Sequence, residues 1–310
     1  MNEINKLESQ INSIAKLLEQ AESLLLSDPN NFSHQLSINS LKSQILELEH
    51  QLQFEKAKRD KEVIELRLIG KSANGTLPLE VLAKLADGFS GAIINSSLFI
   101  QFGKKKNKEK VTEINNIVNL RLAGISSGST RLFITANSSP DLFGRSLSEE
   151  SLNHTFNLLQ SQSPEELTQS ASKIGKDGVK KLYKFVTAIS NADLEIDLNW
   201  TSPTNEKFDW KGTKESLVTV AQSLNNLQIS DPETVLFSGE LIGISLRGTF
   251  EIKTDDKKTI KGNYPNELIA EAKTLTIGSH YSGQLEKKTI INSATESERI
   301  FYTLVSINHD

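Results

Sequence analysis

Residues 4–25 read INKLESQINSIAKLLEQAESLL, and their aliphatic positions Ile4, Leu7, Ile11, Ile14, Leu18, Ala21 and Leu25 fall alternately three and four apart. That rhythm is the a/d seam of a coiled-coil helix. Ser27-Asp28-Pro29-Asn30-Asn31 then interrupts it with turn formers, and Pro29 cannot continue a helix. The same alternation resumes at Ile38, Leu41, Ile45, Leu48 and Leu52. Two such helices joined by about five turn residues are expected to fold back antiparallel, each burying its seam on the other. Two narrow seams make a thin core, so the seam residues are also a candidate interface with a second copy or another protein. Past Leu52 the seam lapses at Glu55 and Arg59, and the mixed charges of residues 55–62 are expected to form a solvated helix end. The hairpin is therefore assigned to residues 1–62.

A chain of 310 residues is too long for one small domain and suggests two or three units. Charged residues make up 24%, an ordinary share, which argues against disorder. Lys and Arg number 35 against 39 Asp and Glu, so the net charge of -4 offers no general attraction for nucleic-acid phosphates or acidic membranes. The chain has no cysteine, which removes disulfides, thiolate nucleophiles and zinc-thiolate sites. The first residues lack the apolar segment of a signal peptide, and no stretch reaches ~18 uninterrupted apolar residues. A cytoplasmic protein is expected, and the abundance of Asn, Lys, Ser and Ile is that of an AT-rich bacterial genome.

Residues 63–230 read as an α/β body. Val63 to Ile69 alternates and is β-branched, as a strand does. Asn74-Gly75 marks a turn, after which Thr76 is placed to cap a helix running to about Gln101, with Pro78 in its first turn. Gly88, Ala92 and Ser96 on that helix are small and four apart, a spacing that lets another backbone come close. Lys84, Asp87 and Asn95 argue for a buried core helix over a membrane segment. Strands are expected at residues 117–123 and 130–136 around the Ser126–Ser129 turn, and at residues 193–200. Ser146 with Glu149, and Ser163-Pro164-Glu165-Glu166, are helix starts; Gly175 and Gly178 are expected to split the second helix. A further helix is read at residues 213–227. This order implies a mixed sheet covered by helices.

From residue 231 to 310 the pattern changes to short strands: 234–246, 248–253 and 258–262, a short helix at 266–273, then 282–291 and 299–307. Three strands, a helix and two strands is the order of the oligonucleotide/oligosaccharide-binding (OB) barrel, with glycines such as Gly239 and Gly243 letting a long first strand bend. A small SH3-like barrel is the rival. This segment carries nine Lys and Arg against twelve Asp and Glu, and Phe250 shares a strand face with Ile252, away from Glu251 and Lys253. A single-strand binder couples a positive groove with exposed aromatics, so nucleic acid is disfavoured.

The chemistry is sparse. Lys104, Lys105, Lys106, Lys108 and Lys110 form the one dense basic run, read as a solvated turn tip whose functional alternative is phosphate contact. Gly70-Lys71-Ser72 imitates a phosphate loop, but Glu65 stands where the motif requires glycine. Asp193, Glu195 and Asp197 alternate on one strand face; clustered carboxylates can hold Mg²⁺ for phosphodiester chemistry, while the bland reading is the wet side of a half-buried strand. Asp231 with Glu251-Ile252-Lys253 mimics a nuclease pattern, on what reads as barrel surface. His34, His50, His154, His280 and His309 are scattered singly, and no serine sits in a nucleophile elbow.

The reading is an α+β multi-domain protein: an antiparallel helical hairpin at 1–62, a mixed-sheet body at 63–230 and a small OB- or SH3-like barrel at 231–310. No cofactor or metal is expected. The function it favours is a non-enzymatic assembly protein that binds itself or another protein through the hairpin and presents the barrel to a partner. An accessory subunit of a bacterial stress or defence system would suit that description. The alternatives are nucleic-acid binding through the barrel and the lysine run, and a metal-dependent phosphodiesterase at Asp193, Glu195 and Asp197.

Overall fold

The structure is a computed structural model. It describes residues 3–29, 31–57, 61–73, 76–103, 107–126, 130–139, 146–204 and 206–309, with the backbone alone at residues 50, 53, 54 and 126. Helices α1 (Glu3–Ser27) and α2 (Phe32–Ala57) come first. The Asn31 side chain accepts hydrogen bonds from the backbone N–H of Ser33 (3.1 Å) and His34 (3.3 Å), which caps α2 directly after the turn. Ion pairs at both ends, Glu22–Lys42 (2.9 Å) near the loop and Glu8–Lys56 (2.8 Å) near the open end, fit one antiparallel register. Beyond its own two helices, the pair touches the rest of the chain chiefly where α2 meets strands β1 (Lys61–Ile69) and β2 (Arg121–Ser126).

After β1 come α3 (Leu79–Phe102) and α4 (Lys108–Val118), then β2 and β3 (Thr130–Asn137), α5 (Leu147–Gln160), α6 (Pro164–Asn191), β4 (Glu195–Thr201), β5 (Lys207–Gly212), α7 (Lys214–Asn225) and β6 (Leu227–Ile229). Among the described residues the sheet has the order β2-β3-β1-β4-β5. All four of its pairings are antiparallel, which corrects the expected mixed sheet. A parallel pair needs a crossover connection that returns the chain to the same end of the sheet, usually through a helix. Here β2–β3 and β4–β5 each arrive as a hairpin after two helices and dock on opposite sides of β1 with the adjoining strand reversed.

Ile64, Leu66 and Leu68 of β1 and Ile196, Leu198 and Trp200 of β4 enter one core with Leu85, Phe89 and Ile93 of α3 and Leu182, Phe185 and Ile189 of α6. The expected small-residue face on α3 lies against α6: a Cβ added at Gly88 would stand 2.8 Å from the backbone N and Cα of Phe185. Ser146 caps α5 and Ser163 caps α6, as their sequence patterns indicate. Helix α6 is broken at Gly175 (φ 72°), a left-handed conformation that favours glycine, whereas Gly178 stays helical. The N-cap of α3 is Pro78, two residues later than Thr76. Helix α4 and strands β5 and β6 have no counterpart in the sequence reading.

The C-terminal strands are β7 (Glu233–Ser245), β8 (Thr249–Thr254), β9 (Thr259–Asn263), β10 (His280–Asn292) and β11 (Ser297–His309), with a short helix α8 (Ile269–Ala272) between β9 and β10. Antiparallel pairs β7–β8, β8–β9, β7–β10 and β10–β11, together with a parallel β9–β11 contact at Tyr302–Gly262 and Thr303–Asn263, close a five-stranded barrel among the described residues. The long first strand has a register shift between Leu241 and Gly243, where the bend was expected. Side chains at Gly239 or Gly283 would run into the carbonyl oxygens of Lys253 and Ser306, so closure depends on bare backbone there. Phe237, Leu241, Phe250, Ile252, Tyr281, Leu285 and Leu304 form a second core inside the barrel.

Barrel and body share an edge. β6, of which only Leu227 falls within the helix expected at 213–227, pairs with β10 beyond the end of the β7–β10 pairing, and Leu227, Ile229 and Ile290 belong to the body's core. No helix among the described residues is long and apolar enough to cross a membrane.

Candidate functional site

Helices α1 and α2 pack on each other, and of the residues expected in their seams only Ile4, Leu7 and Ile38 are buried. Ile11, Ile14, Leu18, Ala21, Leu25, Leu41, Ile45, Leu48 and Leu52 are half-buried, because two helices cover each seam from one side only. Further aliphatic and aromatic groups stand in water: Leu17 and Leu24 (52% each), Leu46 (56%), Leu36 (60%), Phe32 (75%) and Leu26 (84%). Between the helices Ile14 and Leu48 floor an open groove of about 490 Å³, with Ser9, Gln10, Ser13, Gln44, Glu47 and Gln51 on its rims.

The lysine run is not one tip. Lys104, Lys105 and Lys106 lie outside the described residues. Asn107 caps α4 by accepting from the Lys110 N–H at 2.8 Å, so Lys108 and Lys110 stand in the first turn of a helix. Val111, Ile114 and Val118, three and four apart, are the apolar stripe that could have revealed it. Lys110 turns inward: its Nζ lies 3.3 Å from Glu267 before α8 and 4.0 Å above the Phe102 ring, tying body to barrel. Of this run, Lys108 is left exposed in the described residues.

The three carboxylates separate. β4 begins at Glu195, and Asp193 precedes it with a left-handed backbone (φ 54°), contrary to the single strand expected. Asp193 is ion-paired with Lys214, whose ammonium hydrogen bond holds the carboxyl below its ordinary range. Glu195 accepts from the Lys214 backbone N–H (3.3 Å), and Asp197 lies 3.6 Å from Arg67. Asp193 and Asp197 each have a cationic neighbour and Glu195 a backbone donor, and no group of three metal-ligating side chains occurs among the described residues. The nuclease-like set also disperses: Asp231 pairs with Lys176 of α6 (3.1 Å) and Glu251 with Lys261 (2.8 Å).

On the barrel Phe250, Tyr264 and Tyr281 are buried, so these rings are not presented for base stacking. Asp255 accepts from Ser238 (2.7 Å) and contacts His280 Nε2 (2.8 Å). In this trio the aspartate stands between serine and histidine, whereas nucleophile activation needs the imidazole between them.

One cluster escaped the sequence reading. Glu62, fully buried, occupies the core row of β1 ahead of Ile64, Leu66 and Leu68. Its oxygens accept from Trp200 Nε1 (2.9 Å) and Ser146 Oγ (3.2 Å), with Ser138 and Ser202 also in contact. Burial pushes its carboxyl above the usual range, the hydrogen bonds pull it back, and neighbouring Glu149 pushes it up again. Glu149, 3% exposed, accepts from Thr204 Oγ1 (2.9 Å) with one oxygen, and its Oε2 has no hydrogen-bond partner. The available signal was parity: extending the strand two residues back puts a carboxylate in an apolar row. Trp200, Ser146 and Ser202 are buried and Ser138 half-buried, so the cluster reads as a structural network at the sheet's end.

No family model and no solved structure matches the chain. It is similar to an immunoglobulin A1 protease of Streptococcus pneumoniae, at 26% identity over 193 residues. The match covers 61% of this chain and 9% of that protein, so the chain spans about a tenth of the length of the curated relative it matches.

Proposed function

We propose that the chain is a non-enzymatic interaction module: the hairpin is a coiled-coil arm for association with itself or another protein, the body is a scaffold, and the barrel, of OB type by its strand order, presents a surface to a partner. The carrying observation is the hairpin's surplus of apolar surface. Most of the expected seam residues are half-buried, and Leu17, Leu24, Leu26, Phe32, Leu36 and Leu46 are exposed on helices whose other outward positions are mostly polar. Exposed apolar groups of that density on an arm are what association covers.

The likeness to a segment of a much larger protease supports a module that is built into longer chains. A continuous match of that length cannot be confined to the hairpin; wherever it starts, it takes in α5 and most of α6, so the likeness extends to the scaffold. Cytoplasmic residence, expected from the sequence, is one of two settings the fold tolerates, since a chain without cysteine needs neither oxidation nor reduction.

Light scattering on the full chain and on one lacking residues 1–57 tests the role of the arm. No hairpin residue belongs to either core, so the shortened chain keeps its fold. The full chain should exceed monomer mass and the shortened one should not. Monomers in both cases, up to the millimolar range, would remove self-association from the reading.

A further inference from the structure

The two flanks of the hairpin differ, and the difference assigns a partner to one of them; the inference rests on the proposed role of the hairpin as an association arm. On one flank Glu8, Glu22, Lys42 and Lys56 pair across the helices. On the other, α1 presents Gln10, Ser13, Leu17, Gln20 and Leu24, spaced three and four apart, all exposed and none charged. Opposite them α2 offers Ser37, Ser40, Gln44 and Gln51, with Glu47 the single charge. Leu17 and Leu24 are each 52% exposed and stand two turns apart, about 10 Å. Toward the open end the same flank dips into the groove floored by Ile14 and Leu48. The flank thus carries both a ridge and a hollow.

We propose that this flank, with Glu47 its one charge between the loop and Gln10, is the interface with a second copy of the chain, in a twofold-symmetric contact. An axis crossing the helices midway between Ile14 and Leu24 lays α1 antiparallel on α1 of the second copy. Each Leu24 then lies over the hollow beside Ile14 and Leu48 of its partner, with Leu17 near the axis, and the four helices form a bundle. Near-neutrality is what selects a second copy. In an isologous contact the same surface meets itself, and serine and glutamine pair in either direction. By the register of the two ion pairs the one charge, Glu47, lies beside the axis and faces its own image, so Glu47→Gln should tighten the contact. The size sets the strength. With the axis level with residue 19, the α1 helices overlap over residues 11–27, about 25 Å, and two helices side by side are roughly 20 Å wide. The footprint of roughly 500 Å² per copy makes about 1,000 Å² in all, the low end for a specific interface and the size of a weak dimer.

The chain has no cysteine, so single replacements report cleanly on proximity. Gln20→Cys lies beside the proposed axis; Ser43→Cys lies on the far side of α2. Under mild oxidation the first should become a disulfide-linked dimer and the second should not. Leu17→Gln with Leu24→Gln should raise the dimer dissociation constant at least tenfold, and should leave the melting temperature unchanged at concentrations where the wild type is monomeric, since both side chains stand in water in the single chain. Cross-linking through Ser43→Cys alone, or wild-type association by the double variant while the chain lacking residues 1–57 is monomeric, would overturn the flank and leave the arm. A full chain monomeric at all concentrations overturns the second copy as occupant. A dimer that persists without residues 1–57 ends both the flank and the arm.

Discussion

Gly88→Ala tests the contact on which the body is built. The added Cβ would lie 2.8 Å from the backbone N and Cα of Phe185, where ordinary contact begins near 3.4 Å. A side chain could rotate away; a helix backbone cannot, so α3 and α6 must separate by roughly 0.6 Å. A gap of that size forfeits a quarter or more of the attraction between atoms that faced each other across the contact. Leu85, Phe89 and Ile93 on one side and Leu182, Phe185 and Ile189 on the other would all lose contact. Overpacking of this kind costs about 1–3 kcal/mol, and the upper end applies to a rigid obstacle. Alanine returns about 1 kcal/mol of helix propensity, so the net loss should be about 2 kcal/mol. Gly178→Ala is the control: it is helical, and its added Cβ would meet Ile174 at 3.5 Å, an ordinary distance. That variant should gain up to about 1 kcal/mol. Urea unfolding of both variants, with slopes equal to wild type, measures the difference. If Gly88→Ala proves as stable as Gly178→Ala, the account of the α3–α6 contact is wrong.

Ser163 Oγ accepts from the Glu166 N–H (3.1 Å) at the start of α6, so Ser163→Ala should lower stability by about 1 kcal/mol. Ser13, whose hydroxyl donates back to the Ser9 carbonyl within α1, should tolerate Ser13→Ala without loss, and equal costs in chemical denaturation would contradict the capping role. The Glu62 carboxyl is raised above 4.5 by burial, so the folded state holds its proton more tightly than the unfolded chain does. Its contribution to stability is full below pH 4.5 and is lost as pH rises through the folded value. Glu62→Gln removes that slope, and its denaturation midpoint relative to wild type should climb from pH 4 to neutrality; parallel profiles would refute the buried-carboxylate assignment.

Periodicity carried most of what the sequence could say. The three-four rhythm on either side of Pro29, the alternation of β1 and the cap-proline-glutamate start of α6 are local patterns, and local hydrogen bonding realises them wherever the chain lies. The barrel's order of three strands, helix and two strands was legible for the same reason. Failures came where a local signal was ambiguous. Residues 108–118 begin with lysines that resemble a solvated tip, but Asn107 caps them and Ile114 and Val118 find a core. Residues 193–200 look like one alternating strand, yet the left-handed turn at Asp193 takes the first carboxylate out of the row.

What the tertiary structure alone decided is which surfaces meet. Parity can put Glu62 on the inner face of β1, but only the arrival of Trp200 and Ser146 makes that carboxylate tolerable there. Strand direction was equally invisible: nothing between residues 69 and 121 tells the chain to reach β2 antiparallel to β3 and leave β1 at the centre. Hydrophobic periodicity records which side of an element is dry and nothing about the neighbour that dries it. The flank of the hairpin is the converse case, a side left wet in the single chain although its composition is suited to contact.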